Sequence, residues 1–160
     1  MVIHGNIYVE VILVPKFNFI VLMRPVGKER ARTINKGNST WSYTPDRTVF
    51  AERKIKDTIE GKGAWFAEHV GVRVEAIFYR DEPDSPTMKR IKQLCNAYKK
   101  PLLPVIAPDI DNYQKTLQDS LNMVTYSDDC QITNITIKKR FIKKGEQPRI
   151  EFSLEEDIDI

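Results

Sequence analysis

Gly71 to Arg80 alternates without a break. Val72, Val74, Ala76 and Phe78 fall on one side of an extended chain, and Arg73, Glu75, Ile77 and Tyr79 on the other. This is the period-two pattern of a strand with one buried face. Cys130 to Lys143 repeats it, with Ile132, Asn134, Thr136 and Lys138 against Thr133, Ile135 and Ile137. A last strand is expected over Arg149 to Leu154 after a Gly145-Glu146 turn, followed by a frayed tail from Glu155 to Ile160. Near the N-terminus, Ile7 to Val14 and Phe17 to Met23 are apolar, β-branched runs that read as two strands of a hairpin, the second apolar enough to be buried on both faces or packed under a helix.

Helical spacing appears in three places. Thr44-Pro45-Asp46 opens a helix, with Thr44 or Asp46 as the cap, that runs to about Glu60 and ends at Gly61 and Gly63. Ala64 to Val70 is read as a further short helical piece, its Trp65 and Phe66 as core. Ser85-Pro86 opens a second helix with Met88, Ile91, Cys95 and Tyr98 at helical intervals, and Asn112 to Asn122 forms a third. Between Arg24 and Trp41 no period is visible, and Gly27, Asn35, Gly37 and Asn38 mark a long basic loop. Long loops of this kind are often functional.

At 160 residues the chain fits one domain, taken as 1–160 with an added N-terminal strand within 1–16 and an acidic tail over 155–160. No apolar run approaches the ~18 residues of a membrane span, and a secretory leader pattern is absent, so a cytoplasmic location without membrane association is expected. Cys95 and Cys130 lie outside any CxxC pair and read as two buried thiols, not a zinc site. The net charge of +3 matters less than its distribution. Basic residues cluster over Arg24 to Lys36, over Lys89 to Lys100 and over Lys138 to Lys144, around a separate acidic centre. That arrangement suits a protein that grips a polyanion.

The acidic centre lies in Pro108 to Gln131. Asp109 and Asp111 are one residue apart, so an extended segment would turn both carboxylates to one side. Asp111 sits where the following helix wants its N-cap, and a helix N-terminus favours anions such as phosphate. Along that helix Asp111, Lys115 and Asp119 form one stripe and Tyr113, Leu117 and Leu121 the opposite, apolar one. Lys115 lies about 6 Å along the axis from Asp111, and Asp119 about 12 Å, too far to share an ion with it. Asp119 is therefore read as a partner for Lys115 or a structural acid. A third ligand is expected from Asp128 or Asp129. A few carboxylates with water and phosphate oxygens suit Mg²⁺, and two such ions would serve an in-line phosphoryl displacement. Spacing alone is weak: Asp157-Ile158-Asp159 repeats the triplet with no helix or lysine after it.

The complete set is more specific. Asp109-Ile110-Asp111-Asn112 with Lys115, then Asp119-Ser120-Leu121-Asn122, then Asp128-Asp129-Cys130-Gln131, resembles the RusA family of Holliday-junction resolvases, many of them phage-encoded. Pro25-Val26-Gly27-Lys28-Glu29-Arg30-Ala31-Arg32 is similar to that family's basic loop, though the proline usual between the arginines is absent. Met123 also stands where the family commonly has glycine. The resemblance implies an α+β single domain, a mixed β-sheet packed with two to three helices. It also implies a Mg²⁺-dependent endodeoxyribonuclease that acts on branched DNA, four-way junctions above all, as a homodimer. By motif position it makes Asp109, Asp111 and Asp129 the catalytic, metal-holding acids and Lys115 the catalytic lysine.

Lys28, Arg30, Arg32, Lys89 and Arg90 are the expected DNA contacts; Lys138, Lys139 and Arg140 read more readily as edge protection than as DNA contacts. Two alternatives stand beside the resolvase reading: a nuclease of the same family that prefers forks, flaps or Y-shaped DNA, and a non-catalytic DNA-binding protein.

Overall fold

The computed structural model describes residues 14–158. The strand expected over Ile7 to Val14 lies, but for its last residue, outside the described residues. The main sheet is built from β1 (Phe17–Val21), β4 (Val72–Arg80), β5 (Ile132–Phe141) and β6 (Arg149–Glu156), in the order β1-β6-β4-β5. β6 runs antiparallel to both β1 and β4, whereas β4 and β5 are parallel. The sheet is therefore mixed, and with helices α1 (Asp46–Ile59), α2 (Pro86–Ala97) and α3 (Ile110–Leu121) the fold is α+β, as the motif resemblance implies. A separate two-stranded ribbon, β2 (Arg32–Lys36) and β3 (Ser39–Tyr43), stands apart from it.

One face of the sheet carries the core. Val72, Val74, Ala76 and Phe78 of β4 join Phe19, Val21, Ile150, Phe152 and Leu154 against Ile55 and Ile59 of α1 and Leu117 and Leu121 of α3. The alternation in β4 is thus the alternation between helix-covered and uncovered sides. β1 follows the same rule: Phe19 and Val21 are buried while Ile20 is 59% exposed, so of the two expected arrangements the strand takes the one packed under helices on a single face among the described residues. In β5 a bulge breaks the parity, because Val72 pairs with Ile132 and Arg73 with Asn134. The extra residue lets Ile132 pack on the core together with Ile135 and Ile137, although simple alternation separates them.

Several element ends differ from expectation. Pro45 takes the N-cap position of α1, with no side-chain cap bond, because its fixed φ suits the helix entry. Residues 64–70 are not helical; Phe66 is buried there, but Trp65 is 52% exposed. Cys95 is half-buried and Cys130 exposed, so neither is a core thiol. The acidic tail is tied down through Asp157, whose carboxylate accepts hydrogen bonds from Arg73 at 2.6 Å and Thr133 at 2.7 Å. The second acidic triplet therefore begins with a structural acid. The Arg24 to Trp41 stretch, read as loop, contains the β2-β3 ribbon. Its strands are exposed on both sides and so show no core-facing period.

Met123 follows α3 with φ at 61°, the left-handed region, and its side chain is 74% exposed. A side chain there costs about 1 kcal/mol and returns little burial. Met123→Gly is expected to stabilise the fold by about 0.5–1 kcal/mol and raise its melting temperature by roughly 2 °C in a thermal denaturation. A lower melting temperature would show that Met123 makes packing contacts the backbone does not account for.

Candidate active site at the head of α3

Burial of Tyr113, Leu117 and Leu121, each at most 1% exposed, fixes the rotation of α3 against the sheet. Tyr113 stacks on Phe78 of β4 with ring centroids 4.8 Å apart. The stripe Asp111, Lys115 and Asp119 is thereby turned outward. Asp109, not Asp111, holds the N-cap position: Asp109 is extended, with φ −69° and ψ 156°, and Asp111 already lies in the first turn. The two carboxylates meet around the start of a helix and not along one extended segment. Both line a cleft of about 340 Å³ with Arg30, Asn112 and Lys115.

The state of each carboxylate matters. Asp109 makes no side-chain bond to the helix N–H groups, although it occupies the capping position. Asp111 accepts a hydrogen bond from the Lys115 ammonium at 3.2 Å, and both side chains are more than half exposed. An exposed pair of this kind contributes about 0–1 kcal/mol, so it yields readily to a stronger partner.

The opposite wall is the loop before β2. The Lys28 N–H donates to the Asn112 carbonyl at 2.8 Å, and the Lys28 ammonium bridges Glu52 of α1 at 2.6 Å and Asp119 of α3 at 2.7 Å. Burial opposes the charge on Lys28, but the hydrogen bonds it donates to Asp119 and Glu52, with their charges, outweigh it and raise its pKa. The ammonium of Lys28, expected as a DNA contact, braces the loop in this structure, and Asp119 pairs with it and not with Lys115, whose partner is Asp111. Gly27 permits the close approach: a Cβ there would sit 2.6 Å from the Pro108 Cβ. This bracing leaves Arg30 exposed on the cleft wall.

The segment leading into Asp109 is clamped from the sheet. Lys139 of β5 donates to the carbonyls of Ile106 and Pro108, each at 3.0 Å, and Arg80 at the end of β4 donates to the carbonyl of Ala107. The Ala107–Pro108 peptide is cis. Burial and then the nearby Arg80 charge lower the Lys139 pKa, while Asp109 acts in the opposite direction. Lys139 shares the inward side of β5 with Ile135 and Ile137. A lysine at the core-facing parity of a strand is the sequence signal that marks it. Lys138 and Arg140, one residue to either side, are exposed.

The remaining acids lie at the other end of α3. Asp128 accepts a hydrogen bond from the Cys130 N–H at 2.8 Å and caps a 3₁₀ turn, Asp129–Gln131; that bond lowers its pKa. Tyr126 is buried beside this turn, and its pKa is raised by burial first and then by the charges of Asp129, Asp119 and Asp128. Asp129 does not line the cleft that holds Asp109 and Asp111. Among the described residues, no three His, Cys, Asp or Glu side chains are gathered closely enough to hold an ion. The cleft pair nevertheless suits a hard divalent cation in its chemistry: two oxygen donors, one free of the helix N–H groups and one in a weak exposed pair.

Of the other expected DNA contacts, Arg32 is exposed at the root of the ribbon and reaches Glu29 at 3.5 Å. Lys89 and Arg90 are exposed on α2, with Lys89 at 3.1 Å from Asp84. None of the helices among the described residues is long and apolar enough to cross a membrane.

The family model described as endodeoxyribonuclease RusA matches residues 23–155. An uncharacterized protein of Bacillus subtilis (strain 168), YqaN, is 34% identical over 85 residues. That stretch is 53% of this chain and 57% of YqaN, so the chain spans little more than half the length of this curated relative.

Proposed function

Because the chain belongs to the RusA family of endodeoxyribonucleases, we propose that it hydrolyses phosphodiester bonds in branched DNA, four-way junctions in particular, at the cleft heading α3. The observation that carries this reading is the pairing of Asp109 and Asp111 at a helix N-terminus, in one cleft with Arg30 and Lys115. Asp109 and Asp111 are the proposed holders of a divalent cation, Mg²⁺; Asp129, which lies outside this cleft, is proposed as the third acid on motif position alone. Held by these carboxylates, such an ion would supply Lewis-acid chemistry, easing deprotonation of the attacking water and offsetting negative charge on the phosphoryl group.

The chain's own groups do the rest. The N–H groups at the start of α3 and the Lys115 ammonium draw the scissile phosphate to the helix end. Lys115, freed from Asp111, stabilises the charge that builds on the phosphoryl group. Arg30 grips a neighbouring phosphate from the facing wall, and Lys28 keeps that wall in place. A homodimer would set two such sites on a junction with twofold symmetry.

A labelled four-way junction with Mg²⁺ tests this. Paired, symmetrically placed nicks are expected, with none in the presence of a chelator. Comparable cutting of linear duplex would overturn the branched-DNA assignment. Junction binding without cutting in Mg²⁺ would favour a non-catalytic DNA-binding protein, and preferential cutting of forks or flaps would move the substrate within the family's range.

A further inference from the structure

The β2-β3 ribbon has two unlike faces. Its register pairs Arg32 with Tyr43, Ile34 with Trp41 and Lys36 with Ser39, while Thr33 pairs with Ser42 and Asn35 with Thr40. Residues paired across an antiparallel ladder lie on the same side. Hydrogen bonds fix the second face: Thr33 to Ser42 at 3.1 Å and Thr40 to Asn35 at 2.9 Å. The first face therefore carries Ile34, Trp41 and Tyr43 between Arg32 and Lys36, and no acid. Every residue of both strands is exposed, and the three apolar side chains are each 40–45% exposed. Gly37, with φ at 61°, closes the two-residue turn.

An isolated two-stranded hairpin is marginal in water, and an uncovered apolar stripe on one calls for a partner. Cations on the stripe and the lack of acids on it select an anionic partner. Aromatic groups at its centre select one with flat apolar surfaces to stack on. The ribbon springs from the cleft wall: Arg30 lines the cleft and Arg32 begins β2, so its root lies within about 7 Å of the wall along an extended chain. Its face is about 14 Å long.

We propose that this face binds the unpaired bases of branched DNA, with Trp41 and Tyr43 stacking on them and Arg32 and Lys36 holding the flanking phosphates. This inference rests on the DNA-cleaving reading of the adjacent cleft. It deepens that reading by naming the surface that tells a branch from a continuous duplex. In a duplex the bases are stacked on one another and offer nothing to an aromatic platform. At a branch they can be drawn out, and stacking on an aromatic side chain is sequence-tolerant.

The test is binding, measured with Ca²⁺ in place of Mg²⁺ by fluorescence anisotropy on a labelled four-way junction and on linear duplex of equal length. Trp41→Ala is expected to weaken junction binding about tenfold while changing duplex binding less than about twofold. In a Trp65→Phe protein the remaining tryptophan is Trp41. Its fluorescence should be quenched by the junction and not by the duplex. Equal weakening on both DNAs, no weakening on the junction, or equal quenching by both would overturn the proposal, as would a chain that binds no branched DNA. Failure of the nuclease reading looks different: wild-type protein that binds junctions in Ca²⁺ but leaves them uncut in Mg²⁺.

Discussion

Asp111→Asn should reduce cleavage of a four-way junction by at least about 10³-fold, with junction binding preserved or strengthened. The substitution keeps the shape of the side chain and removes the charge that would hold the cation. Charge stabilisation by such an ion amounts to several kcal/mol, and each 1.36 kcal/mol is a factor of ten in rate. Folding should be little affected, because the ion pair lost among the described residues is the exposed one with Lys115, worth about 0–1 kcal/mol. Binding should not fall, since an anion leaves the DNA-facing cleft and Lys115 gains freedom to meet phosphate. Single-turnover cleavage and anisotropy in the same buffer separate the two effects. Undiminished cleavage by the variant would sink the assignment of Asp111, and parallel loss of binding and cleavage would mean that Asp111 organises the cleft and does not serve its chemistry.

Lys139→Met has the second largest expected effect. The ammonium of Lys139 holds the carbonyls of Ile106 and Pro108 just before Asp109. Without it, two carbonyls in a part-buried segment lose their donor, at a cost of about 1–3 kcal/mol. The consequence for Asp109 is positional: a shift of about 1 Å in a reacting constellation can cost on the order of 10² in rate. We expect kcat to fall about 10- to 100-fold with the junction KM changed less than about threefold, and Lys139→Arg to recover part of the loss. Hydrogen exchange over residues 105–110 should accelerate in the Met variant. A residue that held DNA phosphate would behave otherwise, raising KM and flattening the salt dependence of binding. That outcome would make Lys139 a DNA contact and overturn its positioning role.

Local chemistry was open to reading from the chain. The stripe of Tyr113, Leu117 and Leu121 predicts the rotation of α3, and the structure buries all three. The Ser85-Pro86 start of α2 is seen as an N-cap, the Ser85 hydroxyl accepting the Met88 N–H at 3.1 Å. That Asp119 stands apart from the cleft of Asp109 and Asp111 also followed from helix rise. Its partner did not: Lys28 lies far away in sequence and reaches Asp119 because its loop is laid on α3, the Lys28 N–H donating to the Asn112 carbonyl. The ribbon escaped notice for a different reason. Hydrophobic alternation records burial of one face, and a hairpin exposed on both faces leaves no such record.

What the order of residues decides is whatever depends on neighbours within a turn or a strand: which face of α3 is apolar, where helices begin, that Asp109, Asp111 and Lys115 stand close together. Strand order, the parallel pairing of β4 with β5 and the bulge at the start of that pairing depend on contacts between distant segments, so only the folded chain settles them. Those contacts bring Lys139 and Arg80 under the carbonyls that precede Asp109, and lay the Lys28 loop across α3. The acids of the cleft are legible because their spacing is local. The framework that aims them is not, because it is assembled from a loop, two helices and two strands that meet only after the sheet has formed.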